Sequence, residues 1–336
     1  AGEFTRRAFL NGKMDLTEAE AVIDLIDAQS AAAAKNAAAQ LDGGLRRRLE
    51  PVQEALIDVT SRFYAVVDYP DEDIEDIRPE QIEAALHTAE CTLSALLDTA
   101  GRGRVLKNGV RTAIIGRPNA GKSSLLNALA GYDRAIVTDI PGTTRDTVEE
   151  TVTCGGVLLR LIDTAGVDRS RQAAETADLV IAVADGGQSV PAIDPDILSL
   201  AAKAPHWILA VSKNDLNPTA PLPRCPEGLR PPEAVLTFSS VTPEGLKPLM
   251  RAIERCFPAG SPAEAGSLLT NVRQESAVRR GLVAVRRAAA ALKTGLTPDA
   301  VLTDAEEALN AVGELTGRTA RDEIVNAVFS RFCVGK

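Results

Sequence analysis

Eight consecutive residues, GRPNAGKS at Gly116–Ser123, match the pattern G-x-x-x-x-G-K-S in full. The apolar run Thr112–Ile115 before them is typical of a buried strand, and Ser124–Leu129 after them is typical of the start of a helix. A glycine-rich loop in this place directs backbone N–H groups and a helix N-terminus toward one point, which suits a bound phosphate. In such a loop, Lys122 reaches the β- and γ-phosphates of a nucleotide and Ser123 binds Mg²⁺. A chance glycine-rich turn would not explain why a strand and a helix flank the loop.

Two more segments predict the rest of a magnesium and phosphate site. The segment DTAG, Asp163–Gly166, follows an apolar strand, so that Asp163 can hold the Mg²⁺ shell through water and the Gly166 N–H can meet a γ-phosphate. The segment VTDIPGTTRD, Val137–Asp146, lies between the predicted helix and the next pair of strands, which is the place of a switch loop. We expect Thr144 to bind Mg²⁺ only when a γ-phosphate is present. A solvated Pro-Gly turn fits the same residues locally, but their position favours the switch.

A guanine site is predicted by the segment SKND, Ser212–Asp215, which directly follows an apolar run. The Asp215 carboxylate can accept two N–H groups from a guanine edge, and the stem of Lys213 can lie over the purine ring. The usual pattern is NKxD; because Ser212 is shorter than asparagine, we expect it to lose a brace to the phosphate loop and to lower nucleotide affinity. After the next apolar strand, the backbone of Ser239–Val241 can contact the base carbonyl. The order of these segments, each after an apolar strand, predicts a GTP-binding domain.

Composition limits the other functions that the chain can have. Its 336 residues predict about two domains, and 45% hydrophobic with 25% charged residues is ordinary for a globular protein. No apolar run reaches the length of about 18 residues that a membrane span needs, and the five cysteines contain no CxxC pair, so we expect a cytoplasmic protein without disulfides or zinc. A net charge of −9 and 3% aromatic residues argue against a broad nucleic-acid surface. Local basic clusters remain as candidate RNA contacts, with solvated helix faces as the alternative: Arg6-Arg7, Arg46-Arg47-Arg48, Arg102–Lys107, Arg279-Arg280 and Arg286-Arg287.

Helical periodicity lies on both sides of the nucleotide-binding segments. Helices are predicted at Thr17–Leu41, Leu45–Val67, Pro79–Thr99, Val272–Leu292, Pro298–Thr316 and Thr319–Phe332. Thr17 is the expected N-cap, with Glu20 as its capping-box partner. Because neither flank can cover its own apolar stripe, we predict one all-α helical bundle into which an α/β P-loop GTPase domain, a mostly parallel sheet flanked by helices, is inserted. The expected domains are 1–108 and 261–336 for the two parts of the helical domain, and 109–260 for the Ras-like GTPase domain.

Three parts of the sequence together resemble one protein family. They are GEFTRRAFLNGKMDLTEAEAVIDLIDA at Gly2–Ala28, the GTPase segments with VTDIPGTTRD, and FCVGK at Phe332–Lys336. Over essentially its whole length, the chain resembles the bacterial tRNA-modifying GTPases of the MnmE (TrmE) family. The resemblance implies work with an FAD-dependent partner, MnmG, to add an aminomethyl or carboxymethylaminomethyl group to C5 of the wobble uridine of certain tRNAs. It also implies a homodimer whose GTPase domains meet in the GTP state, and a folate-borne one-carbon unit if the family's N-terminal folate-binding domain, which this sequence does not include, is present.

The segment after DTAG departs from the family pattern. Family members carry a long second switch with a Glu that orients the attacking water, but here only Val167–Ala177 separate DTAG from the predicted strand Asp178–Ala184. This span is close to the minimum for a crossover with a helix, so we expect either a deletion or a stretch missing from the sequence. Glu175 is the nearest glutamate, but it directly precedes the strand and is not assigned the catalytic role. Val167 stands where many GTPases have the Gln that positions water.

The resemblance also implies a K⁺ ion that offsets the charge near the β- and γ-phosphates. Its expected ligands are Asn119, Thr138, Ile140 and Thr143, although Asn119 has the alternative of being a polar residue at a variable loop position. Cys333 matches the family's terminal cysteine, and two roles stay open for it: a nucleophile or tRNA-site residue, or a small buried side chain.

The full set of predicted site residues follows from these arguments. The catalytic candidates are Thr144, Lys122 and Asn119, and the Mg²⁺ ligands are Ser123, Thr144 and, through water, Asp163. The predicted GTP or GDP contacts are Asn119, Ala120, Gly121, Lys122, Ser123, Ser124, Thr138, Asp139, Ile140, Thr143, Thr144, Asp163, Gly166, Ser212, Lys213, Asp215, Ser239, Ser240 and Val241.

Two classes of function fit these segments. The first is an enzyme subunit whose GTPase cycle drives tRNA wobble modification. The second is a GTPase switch or ribosome-assembly factor without modification chemistry, which would share the phosphate loop and VTDIPGTTRD. The helical flanks and FCVGK favour the first class. A membrane-bound regulator is a weaker third idea, because the sequence has no evident amphipathic anchor.

Overall fold

The computed structural model describes residues 2–68, 79–132, 150–162, 167–187, 194–218, 222–223, 225–258, 265–294, 297–319 and 322–329. The chain forms two compact units, Ala1–Lys107 with Gly260–Lys336, and Asn108–Ala259. The described part of the first unit is helical, while the second is α/β and interrupts the first in sequence. The prediction of an α/β domain inserted into a helical domain is therefore confirmed.

The helical unit supplies the first and the last elements of the chain, and the α/β unit supplies those between them. The helices are α1 (Glu3–Leu10), α2 (Leu16–Ile26), α3 (Ala31–Leu41), α4 (Gly44–Asp68), α5 (Pro79–Leu97), α6 (Ala100–Asn108), α7 (Lys122–Tyr132), α8 (Val167–Thr176), α9 (Pro195–Ala201), α10 (Pro243–Cys256), α11 (Val272–Lys293), α12 (Pro298–Thr316) and α13 (Asp322–Phe329). The strands are β1 (Val110–Gly116), β2 (Glu150–Cys154), β3 (Val157–Ile162), β4 (Leu179–Asp185), β5 (His206–Ser212) and β6 (Ala234–Thr237).

The sheet of the α/β unit has the strand order β2-β3-β1-β4-β5-β6. Only the β2–β3 pair is antiparallel among the described strands, and the other neighbours are parallel. Strands β4 and β5 are apolar along nearly their whole length, as expected for parallel strands that are covered on both faces. The carboxyl ends of β1, β4, β5 and β6 consequently share one edge of the sheet, which is where ligands bind in folds of this kind.

The core of the helical unit is built from both flanks. Helix α4 packs against α5 and α12, and helix α11 packs against the same two helices, so the four form a closed bundle. One continuous cluster of buried side chains fills it, including Leu56 from α4, Leu93 from α5, Val285 from α11 and Ala308 from α12. The prediction of a single bundle is confirmed, because each flank supplies two of its four helices.

A buried ion pair joins α2 to the start of α11. The Nε and Nη2 atoms of Arg273 donate to the two carboxylate oxygens of Glu20 at 2.7 and 2.8 Å, and Gln274 donates to the same carboxylate at 2.9 Å. Arg273 also donates to the backbone carbonyls of Glu314 and Leu315, at the C-terminal end of α12. The side chain of Glu20 is only 8% exposed, so its charge depends on these partners.

The first predicted helix is wrong in two respects. Thr17–Leu41 is divided into α2 and α3, and the second of these begins after Ser30, whose hydroxyl accepts from the backbone N–H of Ala33. The N-cap of α2 is Asp15, and its capping-box partner is Glu18. Thr17 instead donates its hydroxyl to Asp15. Since Glu20 is held by Arg273 and Gln274, it is not available to cap α2.

Other differences concern short helices. The sequence patterns did not predict α1 or α6, and the other helices predicted in the flanks are confirmed with described ends that differ by at most a few residues. The predicted end of the last helix, Phe332, lies outside the described residues. After DTAG, α8 begins at Val167 and ends at Thr176, so a helix fits within the short crossover. Glu175 lies in the last turn of α8 rather than directly before the strand, and it is exposed. Among the described helices, none combines the length and the apolar character needed to cross a membrane.

Replacing Arg273 with methionine should destabilise the helical unit. Methionine keeps an apolar stem but removes both guanidinium bonds to the buried Glu20 carboxylate and leaves the bond from Gln274, so we expect a loss of about 3–5 kcal/mol in the free energy of unfolding. Helical circular dichroism during denaturant unfolding measures this loss. The single tryptophan, Trp207, lies in the α/β unit, so its fluorescence should follow a transition that shifts less.

Arg279→Met is the matched control for this experiment. Arg279 lies on the same helix and pairs with Glu275, but its side chain is 60% exposed, so we expect a change of about 0.5 kcal/mol or less. Equal losses of unfolding free energy in the two variants would show that the buried ion pair stabilises the helical unit no more than the exposed pair does.

Candidate nucleotide-binding site

The loop between β1 and α7 adopts the backbone that a phosphate site needs. Asn119 and Gly121 have φ angles of 63° and 94°, in the left-handed region. A Cβ atom on Gly116 would lie 2.5 Å from the backbone oxygen of Val183 in β4, so only glycine fits at the base of the loop. The loop therefore turns tightly from the end of the strand and brings its N–H groups to the N-terminus of α7.

Lys122 folds back over this loop. Its ammonium group donates to the backbone oxygens of Gly116 at 2.9 Å and Arg117 at 2.8 Å. Burial lowers the pKa of Lys122, because desolvation disfavours its charged form. The ammonium thus lies beside the concave loop, where a nucleotide's β- and γ-phosphates can replace the two carbonyls as its partners.

Ser212 braces the loop from the neighbouring strand. Its hydroxyl donates to the backbone oxygen of Ala120 at 2.8 Å, and the residue is 1% exposed. The expectation that serine would lose this brace is wrong. The reason is the close approach of the two segments: a Cβ atom on Gly121 would lie 3.2 Å from both the Cβ and the Oγ of Ser212. At this separation a serine side chain is long enough to reach the loop.

The segments at the ends of β5 and β6 lie side by side. The backbone N–H of Asn214 donates to the carbonyl of Phe238 at 3.2 Å, which continues the parallel pairing of the two strands. The hydroxyl of Ser239 donates to Asp215 Oδ1 at 2.7 Å, and it accepts from the backbone N–H of Val241 at 3.2 Å. Sequence reasoning assigned Ser239 a backbone role, whereas its side chain holds the carboxylate of Asp215 in place.

One contact at this edge of the sheet was missed by sequence reasoning. Asp185, the last residue of β4, accepts from the ammonium of Lys213 at 2.7 Å. The Lys213 hydrogen bond is the main cause that lowers the pKa of Asp185. The signal for this contact in the sequence was an acidic residue at the end of the apolar strand that precedes the strand leading into SKND.

Some of the predicted nucleotide contacts lie within the residues that the structure describes, and the others lie outside them. The structure brings three groups of them to the carboxyl ends of β1, β5 and β6, namely Asn119–Ser124, Ser212–Asp215 and Ser239–Val241. The remaining predicted residues lie outside the described ranges: Thr138, Asp139, Ile140, Thr143, Thr144, Asp163, Gly166 and Cys333. Of the expected Mg²⁺ and K⁺ ligands, Ser123 and Asn119 are described. In the part of the chain that the structure describes, no three His, Cys, Asp or Glu side chains meet as a metal site.

Comparison with known proteins identifies relatives of the whole chain. The family described as "MnmE helical domain" matches residues 16–333. A tRNA modification GTPase MnmE from Roseiflexus castenholzii is 42% identical over 357 residues, which cover 100% of this chain and 76% of the relative. A tRNA modification GTPase MnmE from Akkermansia muciniphila is 43% identical, and the match covers 100% of this chain and 75% of the relative.

Two solved structures show weaker similarity. A bacterial selenocysteine-specific elongation factor, EF-Sec, has a TM-score of 0.31 at 19% identity, and the match covers 46% of this chain and 29% of the elongation factor's chain. A complex of SsGBP with GDP has a TM-score of 0.29 at 15% identity, and the match covers 61% of this chain and 68% of the SsGBP chain.

The match to the helical-domain family and the identities along the whole chain agree with the architecture, in which a phosphate loop stands on a sheet inserted between two helical flanks. The chain belongs to the MnmE family of tRNA modification GTPases.

Proposed function

We propose that this protein is a K⁺-dependent GTP hydrolase that, with an FAD-dependent partner of the MnmG type, modifies C5 of the wobble uridine of certain tRNAs. The observation that carries the proposal is the braced loop, in which Lys122 lies on two loop carbonyls and Ser212 fixes Ala120. Family membership supports the tRNA substrate. The proposal includes a cytoplasmic homodimer whose GTPase domains meet in the GTP state, and a folate-borne one-carbon unit if the family's N-terminal folate-binding domain is present.

The described residues support a division of labour around GTP. The loop N–H groups and Lys122 hold the phosphates, and Ser123 supplies a hydroxyl at the start of α7, a ligand type that Mg²⁺ accepts. Thr144 and Asp163, which lie outside the described ranges, would complete the Mg²⁺ site. When bound, the ion neutralises charge that develops between the β- and γ-phosphates. Asp215, held by Ser239, would read the guanine edge, and Lys213 would cover the purine face.

Water for hydrolysis must be positioned without the usual glutamine. Val167 occupies the position after DTAG, and its side chain cannot form a hydrogen bond. Asp168 directly follows Val167, and the nearest glutamate along the chain, Glu175, lies in the last turn of α8. Hydrolysis also needs positive charge near the β- and γ-phosphates, where negative charge develops on the leaving group. We propose that K⁺ supplies it near Asn119, Thr138, Ile140 and Thr143.

The arginine clusters of α11 give limited support to RNA contact at that helix. Its arginines pair with carboxylates as follows: Arg279 with Glu275, Arg280 with Glu314, Arg286 with Glu90, and Arg287 with Asp304. An RNA phosphate at this face would have to compete with these acids. The candidate tRNA surface is better sought elsewhere on the protein. Two roles stay open for Cys333: a nucleophile or tRNA-site residue, or a small buried side chain.

GTP turnover should depend on K⁺. Replacing K⁺ with Na⁺ should lower kcat by about tenfold or more, because a preorganised positive charge on the leaving group is lost, and Rb⁺ or NH₄⁺ should restore part of the rate. Phosphate release at constant ionic strength measures the effect. Asn119→Gly, which tolerates the φ of 63°, should abolish the stimulation and leave GDP affinity intact. Equal rates in Na⁺ and K⁺ would contradict the proposal.

Asp215→Asn should change the preferred base from guanine to xanthine. The variant loses a charge-assisted pair of hydrogen bonds and gains a donor, so GTP affinity should fall by roughly 30- to 1,000-fold while xanthosine triphosphate binding rises. Competition against a fluorescent nucleotide measures both. Ser239→Ala, which removes the hydroxyl that supports Asp215 and accepts from the Val241 N–H, is the control and should weaken binding without exchanging the preference. An unchanged preference in Asp215→Asn would refute the assignment.

The substrate is tested by mass spectrometry of wobble nucleosides in a strain that lacks the gene. We expect C5-modified uridines to disappear and to return when the gene is restored. Unchanged nucleosides together with altered ribosomal subunit profiles would favour the ribosome-assembly alternative.

A further inference from the structure

The end of strand β4 is tied to the SKND segment by several contacts. In the parallel pairing of β4 with β5, Asp185 is the partner of Ser212, so its carboxylate stands next to the residue that follows Ser212. Oδ2 of Asp185 accepts from Lys213 Nζ at 2.7 Å, and Oδ1 accepts from the backbone N–H of Gly187 at 2.9 Å. The side chains of Lys213 and Asp185 are 35% and 23% exposed, so the pair is partly removed from water.

The turn after β4 also packs directly against SKND. The N–H of Gly186 donates to the carbonyl of Ser212 at 3.1 Å, and a Cβ atom on Gly186 would lie 2.3 Å from that carbonyl oxygen. A Cβ atom on Gly187 would lie 3.4 Å from Cδ of Lys213, which places the lysine stem against this glycine pair. Lys213 itself has a φ of 56°, so its backbone is held in the left-handed region.

A lysine side chain in water samples many rotamers, and ordering it costs free energy. Here the backbone fixes one end of Lys213, the glycine turn lies against its stem, and the carboxylate fixes its ammonium group. The three constraints hold the methylene stem between its backbone and the end of β4, and all of them come from protein atoms.

We propose that Asp185 is a positioning residue of the guanine site, which holds the ammonium of Lys213 so that the lysine stem forms a fixed platform for the purine ring. The inference rests on the proposed function, in which Lys213 and Asp215 bind the base. Asp185 acts through Lys213 and does not touch the nucleotide. Its loss should therefore weaken nucleotide binding and leave the rate of hydrolysis at saturation and the choice of base unchanged.

The test is a double-mutant cycle on the full chain with fluorescent GDP as the probe. Asp185→Ala should raise the Kd about five- to tenfold, while kcat at saturating GTP stays the same. Lys213→Met keeps an apolar stem and lacks the ammonium group, so adding Asp185→Ala to it should change the Kd by less than about twofold. Asp185→Asn keeps an acceptor for Gly187 and should fall between the wild type and Asp185→Ala, which also covers the case in which the alanine variant does not fold.

Glu233→Gln is the matched control, since Glu233 pairs with His206 in the same unit, and its Kd should equal that of the wild type. An equal rise in Kd on both the wild-type and the Lys213→Met background would assign Asp185 a role in the turn alone and overturn the proposal. No change on either background would overturn it as well. If Asp215→Asn leaves the base preference unchanged, the assignment of the guanine site is wrong. If Asp215→Asn changes the preference as expected but the double-mutant cycle fails, only the positioning role of Asp185 is wrong.

Discussion

The ion pair between Glu20 and Arg273 joins the segment before the inserted unit to the segment after it, and it adds a directional contact to the apolar core that the two flanks share. A buried carboxylate is costly unless its lone pairs are satisfied. Here Arg273 provides two parallel bonds and Gln274 a third. The same guanidinium binds carbonyls at the end of α12, where a helix leaves acceptors unpaired. One side chain therefore fixes α2, α11 and α12 together beside the apolar core that the bundle helices share.

The nucleotide edge of the α/β unit is organised by the register of its parallel strands. Ser212 reaches the phosphate loop, Lys213 reaches the end of β4, and Asp215 is held from the end of β6 by Ser239. Each of these hydrogen bonds connects two different strand ends and uses protein atoms only. Side chains that are already ordered in this way lose less conformational freedom when a ligand binds, which favours affinity and a single binding geometry.

Much of this site follows from the sequence because its signals are local. A strand, a glycine loop and a helix occur in succession at Gly116–Ser123, and the continuous apolar runs identify the parallel strands. The first N-cap shows where local patterns stop being sufficient. Asp15 with Glu18 and Thr17 with Glu20 both satisfy the capping-box spacing, and the distant Arg273 decides between them by engaging Glu20. The Ser212 brace and the Asp185–Lys213 pair likewise depend on distances between strands, which no local pattern contains.

The division of the bundle between two flanks has a consequence for how the chain folds. Helices α4 and α5 are synthesised before their partners α11 and α12, and the whole segment Asn108–Ala259 lies between them. Contacts so distant in sequence form slowly, because the chain must close a long loop before they can contribute. The α/β unit is complete in sequence before α11 emerges, so it can fold first and replace a long flexible loop with a compact body. During synthesis the apolar faces of α4 and α5 stay uncovered until the last helices are made, so the incomplete bundle exposes apolar surface that favours aggregation.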